Sequence, residues 1–145
     1  NFRYPEKWAV LIGGGVNHRM GLFDMIMLKD NHADFCGGIR PTLEKTFTYL
    51  KDNSLEVPVI VETRSLHEVK ECLMFPQLHR ILLDNMSVEL LEEAVALVDG
   101  KIPTEASGNI SSKNLVAIAE TGVDYASLGA LTHSAKNIDM SLVTA

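Results

Sequence analysis

Five short apolar runs, each closing on a polar residue or a glycine, constrain this chain more than any other feature. MIMLK (25–29), VPVIVE (57–62), RILLD (80–84), IPTEASG (102–108) and YASLG (125–129) alternate with stretches of helical periodicity. That alternation is how parallel βα units read. The runs are apolar on both faces, as expected of strands that helices cover. The expectation is an α/β fold of five parallel strands, with a candidate sixth at residues 140–143. In open sheets and barrels of such units, ligands bind where strands end and loops begin. Lys29, Glu62, Asp84, Ser107, Gly108 and Gly129 stand at those ends. A cation, two carboxylates, a hydroxyl and glycines at one mouth suit a phosphorylated, polyhydroxylated substrate.

Helix signals fill the intervals. A helix of a turn or two at residues 5–11 ends on Gly13-Gly14-Gly15. That glycine run follows no strand and precedes no Lys-Ser or Lys-Thr, so it is a helix stop and turn, not a nucleotide loop. Gly37-Gly38 open a helix over residues 39–51, with Leu43, Phe47 and Leu50 on one face. Ser65 caps the next, Glu68 completes a capping box and Pro76 stops it. Ser87 caps a third, ended by Gly100, and Ser111 or Ser112 a fourth, ended by Gly122.

At 145 residues the chain has the size of one domain, short of the ~250 residues typical of a closed eight-stranded α/β barrel. A net charge of −6 argues against a nucleic-acid partner. No apolar stretch approaches the ~18 residues of a membrane span, so no membrane partner is expected. The amino end has no basic head and long apolar core, and so does not read as a signal peptide. Cys36 and Cys72 share no metal-like spacing and read as reduced thiols of a cytoplasmic protein.

The residue types at the strand ends define the chemistry that is open to the chain. His18-Arg19 and Lys29 form a cationic cluster: Arg offers a planar fork for a carboxylate, and Lys a compact charge for a carboxylate or phosphate. Glu62 and Asp84 could serve as general acid or base, as ligands of a divalent metal, or as acceptors for ribose hydroxyls; alternatively, each pairs with a neighbouring cation or caps a helix. Ser107-Gly108 and Gly129 are candidates for binding phosphate, because glycine lets backbone N–H groups approach an anion. Gly129 leads into a short polar segment with His133.

GGGVNHRMGLFDMIMLKDNH (13–32), ILLDNM (81–86), EASGNI (105–110) and GVDYASLGALTHS (122–134) closely resemble the quinolinate phosphoribosyltransferase family, the decarboxylating enzymes of NAD biosynthesis. The resemblance runs through essentially the whole chain. It implies part of an incomplete α/β barrel of the type II phosphoribosyltransferase kind, preceded in the family by a smaller amino-terminal domain. It implies that His18, Arg19 and Lys29 contact the two carboxylates of quinolinate. Glu62 and Asp84 face the ribose hydroxyls and Mg²⁺ of phosphoribosyl pyrophosphate, and Ser107, Gly108, Gly129 and His133 hold its 5-phosphate. By the same resemblance Lys29, Glu62 and Asp84 are the catalytic set, Mg²⁺ is the cofactor and the active site lies at the interface of a homodimer or higher homo-oligomer. The family's Thr-Arg-Lys-Thr strand and its amino-terminal domain are expected before Asn1, so residues 1–145 are read as the carboxyl-terminal barrel portion. Other readings are a paralogue using another base, a sugar-phosphate isomerase or aldolase with Lys29 as Schiff-base lysine, and a non-catalytic ligand-binding fragment.

Overall fold

The five apolar runs form a single all-parallel sheet, in a computed structural model that describes residues 2–143. In chain order the elements are α1 (Arg3–Ile12), β1 (Ile26–Leu28), α2 (Asp30–Cys36), α3 (Ile39–Asp52), β2 (Val59–Thr63), α4 (Leu66–Cys72), β3 (Arg80–Asp84), α5 (Val88–Val98), β4 (Thr104–Ser107), α6 (Leu115–Glu120), β5 (Tyr125–Ala126) and α7 (Ala130–His133). The strand order is β1-β2-β3-β4-β5, with no reversal. A doubly wound sheet reverses order at a switch point. A strictly sequential order instead is that of a barrel wall, here a partial α/β barrel.

Alternation along the strands divides the sheet into two faces. Val59 and Val61 of β2, Ile81 and Leu83 of β3, and Ala106 of β4 join Leu43, Val69, Cys72, Leu91, Ala94, Val98 and Ile118 of the helices in one core. Burial pushes the Cys72 thiol up to about 12, so it packs as a small apolar group. The opposite, inner face carries Ile60, Glu62, Arg80, Leu82, Asp84, Glu105 and Ser107. The register sets Glu62 beside Leu82, Leu82 beside Glu105, Glu105 beside Tyr125, and Asp84 beside Ser107. The inner face is therefore not uniformly apolar: it holds charged residues in the middle of the strands.

Several local expectations are corrected. Residues 140–143 form no strand; Met140 and Leu142 stand exposed, because an apolar alternation needs a neighbouring strand to pair with. The polar segment after β1, for which the sequence offers no helix signal, forms α2. His32 Nδ1 accepts the Lys29 N–H (2.8 Å) at its start, and Gly37 (φ 87°) ends it, with Gly38 N–H reaching back to the Ala33 carbonyl. α4 stops at Cys72, ahead of Pro76. At its start Ser65 Oγ accepts the Glu68 N–H, but the Glu68 carboxylate accepts from Arg64 N–H and not from Ser65, so the box does not close as expected. α6 begins at Leu115 with Asn114 at the N-cap position, not the serines: the Asn114 side chain accepts the Ser111 N–H (2.8 Å) and seals a turn over residues 111–114 first. Ser87 does cap α5, accepting the Leu90 N–H.

Candidate active site

β1 and β2 bring the first pair together. Lys29 immediately follows β1 in extended conformation, and its Nζ lies 3.7 Å from Glu62 Oε2. The lysine side chain is half exposed, whereas Glu62 is buried. A buried carboxylate needs a partner, and Lys29 is the cation that faces it. β3 and β4 supply the second pair. Ser107 Oγ donates to Asp84 Oδ1 (2.5 Å), and Asn85 Nδ2 donates to Asp84 Oδ2 (2.7 Å). Both oxygens of Asp84 are thus oriented, one by the residue that follows it and one from the end of the adjacent strand β4.

Asn85 and Asn109 extend that cluster. Both hold left-handed backbone (φ 52° and 53°) just past β3 and β4, and Asn109 Nδ2 donates to Asn85 Oδ1 (2.9 Å). Gly108 sits between them at φ 84°, where a Cβ would come within 2.2 Å of the Asn85 amide. Only glycine meets both demands. Ser107, Gly108 and Asn109 line a hollow of about 270 Å³ together with Ser87 and Asn114. Gly129 has an ordinary backbone, and a Cβ there would approach Nε2 of the exposed His133 to 2.9 Å, so a side chain at this position would displace that ring.

A larger hollow of about 440 Å³ lies beside β5 and takes in His18, Arg80, Glu105, Tyr125, Ser127 and Gly129. The loop bearing His18 and Arg19 is pinned at several points. Lys7 of α1 donates to the Arg19 carbonyl (3.0 Å), Asn17 donates to the Lys7 carbonyl (2.9 Å), and Asp24 accepts the Met20 and Gly21 N–H groups (2.6 and 2.8 Å). Those two N–H groups hold the Asp24 carboxyl below the usual range. Burial likewise holds the His18 imidazole below its ordinary value, with Glu105 opposing that shift.

Two functional candidates lay unseen in the sequence. Arg80, first residue of β3, donates from Nη1 to Glu105 Oε2 (2.5 Å), and its guanidinium stacks over the Tyr125 ring at 3.7 Å from the centroid. Glu105 is 2% exposed; its other oxygen accepts from Ser127 Oγ and faces His18 Nε2 at 3.8 Å. The only signal available was Glu105 inside an apolar run, and nothing linked it to an arginine 25 positions earlier. Eight of the nine expected residues therefore fall into three groups: Lys29 with Glu62, Asp84 with Ser107 and Gly108, and His18 with Gly129 and its neighbour His133. Arg19 stands beside His18, its Nη1 3.4 Å from the Met25 carbonyl.

Among the described residues, no group of three or more His, Cys, Asp and Glu side chains is gathered as a cage for a metal. Glu62 and Asp84 instead offer the one or two carboxylates that Mg²⁺ takes when phosphates complete its shell, so the donor set fits that ion. No helix among the described residues is long and apolar enough to cross a membrane.

The family described as "Quinolinate phosphoribosyl transferase, C-terminal domain" matches residues 1–143. The chain is 49% identical to quinolinate phosphoribosyltransferase [decarboxylating] 2, mitochondrial, of Nicotiana glauca, over 97% of this chain and 44% of that protein. It is 39% identical to the probable nicotinate-nucleotide pyrophosphorylase [carboxylating] of Bacillus subtilis, over 97% of this chain and 47% of that one. The crystal structure of NadC from Streptococcus pyogenes superposes with a TM-score of 0.88 at 40% identity, over 96% of this chain and 47% of the other. The chain thus spans a little under half the length of these relatives. From its strictly sequential barrel wall to this match along nearly its whole length, it belongs to the quinolinate phosphoribosyltransferase family, as a carboxyl-terminal domain.

Proposed function

We propose that the protein carrying this chain transfers a phosphoribosyl group from phosphoribosyl pyrophosphate to quinolinate, releasing pyrophosphate and CO₂ and leaving nicotinate mononucleotide. The observation that carries the reading is the family match over residues 1–143, on a chain whose charged strand-end residues share one face of the sheet. The pyridine nitrogen lone pair forms the bond to C1 of the ribose, and the bond from C1 to pyrophosphate breaks with its electron pair on the leaving oxygen. The pyridine carboxylate next to that nitrogen then leaves as CO₂, and a proton takes its place on the ring carbon. His18, Arg19 and Lys29 supply the donors for two carboxylates. Glu62 and Asp84 take the ribose hydroxyls and face the cationic sugar as it forms, where fixed charge is most effective. Ser107, Gly108, Gly129 and His133 receive the 5-phosphate. Most of this work is positioning.

Mg²⁺ belongs to the same proposal, with Glu62 and Asp84 as its protein contacts; when bound it offsets charge on the departing pyrophosphate. So does a homodimer or larger homo-oligomer, for which the exposed Phe2, Trp8, Leu22 and Phe23 provide apolar surface. The free Cys36 and Cys72 support a reducing compartment such as the cytoplasm, although the relatives from Nicotiana glauca and Arabidopsis thaliana carry mitochondrial and chloroplastic labels. Schiff-base chemistry at Lys29 is disfavoured: such lysines are desolvated, and this one is half exposed beside a carboxylate.

Calorimetry on the Arg19→Ala variant tests the reading. Losing one partner of a desolvated charge pair costs ~2–5 kcal/mol, so quinolinate binding should weaken far more than binding of phosphoribosyl pyrophosphate. Equal losses for the two ligands would remove Arg19 from the pyridine pocket.

A further inference from the structure

We infer that Glu105, anchored by Arg80, is the positioning residue of this site, acting through the Ser127 hydroxyl, which it holds by a hydrogen bond, and through the His18 ring, which it faces as a charge. The inference rests on the functional reading above only in taking His18, at the wall of the larger hollow, as a contact of the pyridine carboxylates.

Glu105 links side chains from three separate parts of the chain. Its Oε2 accepts from Arg80 of β3, and its Oε1 accepts from Ser127 just past β5. The same Oε1 faces Nε2 of His18, from the loop ahead of β1, at 3.8 Å. At 2% exposure the carboxylate is buried at the wall of the larger hollow, so its charge depends on these neighbours. Arg80 is in turn held by the face of Tyr125. The anion is therefore fixed, and it faces the His18 ring at 3.8 Å as a charge, while the hydrogen bond that His18 Nδ1 accepts from the Arg19 N–H holds the ring's other side.

The proton on His18 follows from the other side of the ring. The Arg19 N–H donates to His18 Nδ1 at 2.8 Å. A nitrogen accepting a hydrogen bond carries no proton, so neutral His18 carries its proton on Nε2, the nitrogen turned toward Glu105. His18 thus has a donor to offer and no free acceptor. That is the form suited to a ligand carboxylate, and it leaves His18 no role as a general base. The other charged groups facing the ring are Lys7 of α1, Arg80 of β3 and Arg19 of its own loop, all cations that oppose its protonation. Glu105 is the anion that favours it.

Nitrogen-15 NMR of the histidine rings in this chain tests the assignment, with His32, His67, His79 and His133 as internal references. The unvaried protein should show neutral His18 protonated on Nε2. Glu105→Gln should lower the titration midpoint of His18 and leave the other four unchanged. Because that variant strands Arg80 without its partner and could unfold the chain, Glu105→Asp is the companion: it keeps the charge one methylene further away and should move His18 in the same direction by less. A His18 midpoint unchanged in either folded variant would overturn the assignment, even with a loss of thermal stability, which a purely structural Glu105 also produces. So would a neutral His18 protonated on Nδ1. Calorimetry with pyridine-2,3-dicarboxylate on the same samples separates the two claims. Several-fold weaker binding in Glu105→Gln supports the positioning role. If the unvaried chain binds none, the pyridine-pocket reading loses support, while the ring measurement still decides for or against Glu105.

Discussion

Gly108 shows how tightly single residues are specified at the strand ends. Its left-handed backbone disfavours any side chain, and the Asn85 amide occupies the space that a Cβ would take. Gly108→Ala should therefore destabilise the chain by roughly 1–3 kcal/mol through strain alone, with the clash in addition. Adding Asn85→Gly should recover the clash portion and leave the strain. Thermal unfolding of the two single variants and the double variant separates the two, and full additivity would show that the amide is not the obstacle. Gly108 was legible in the sequence as a candidate phosphate turn, and Lys29, Glu62 and Asp84 as strand-end charges. The Arg80–Glu105 pair was not. Its partners meet only because Leu82 lies beside Glu105 in the parallel register, and a single sequence carries periodicity but not register. Asp24 was hidden differently: an Asp accepting backbone N–H groups a few residues back looks, in sequence, like any turn residue.

At the scale of elements, the strands and the longer helices were legible because burial imposes a period. α3 and α5 pack Leu43 and Leu50, and Leu91, Ala94 and Val98, into the core at helical spacing. α2 escaped because its seven residues, DNHADFC, bury only Ala33, so no apolar stripe marks it. The reverse error occurred at residues 140–143, where an apolar stretch has no strand to join. Capping signals were legible in part: Ser87 caps α5 as expected, whereas Asn114, not Ser111 or Ser112, stands at the N-cap position of α6 and makes no side-chain cap there. Since Ser87 satisfies an N–H group that otherwise lacks a partner, Ser87→Ala should cost about 0.5–2 kcal/mol in a denaturant titration, with the slope unchanged. Ser87 also lines the smaller hollow, so an altered slope would mean that the cap organises more than one helix turn.

At the scale of the whole molecule, β1 and β5 are the outer strands of the sheet, and Phe2, Tyr4, Trp8, Leu22, Phe23, Phe35, Leu131, Ile138, Met140 and Leu142 are exposed. Open strand edges and apolar surface both favour association. The 145-residue chain should therefore self-associate, its mass in sedimentation rising with concentration. Trp8→Lys, on α1 and distant from the strand ends in sequence, should reduce this. A chain that stays monomeric through the micromolar range would show that the exposed surface is tolerated alone. The resemblance named the family from four motifs, and the match over residues 1–143 agrees with it. What the chain spans is a little under half of its relatives, so the activity is best measured with the rest of such a protein present.

The most direct measurement of the central claim is product formation by this chain preceded by the amino-terminal portion of the Nicotiana glauca relative. With both substrates and Mg²⁺, the account predicts pyrophosphate and CO₂ released in equal amounts, and only when quinolinate and phosphoribosyl pyrophosphate are both present. It also predicts that Asp84→Asn, which preserves size but removes a charge, suppresses both products while the fold survives. Pyrophosphate released without CO₂, or near-normal turnover in Asp84→Asn, would contradict it.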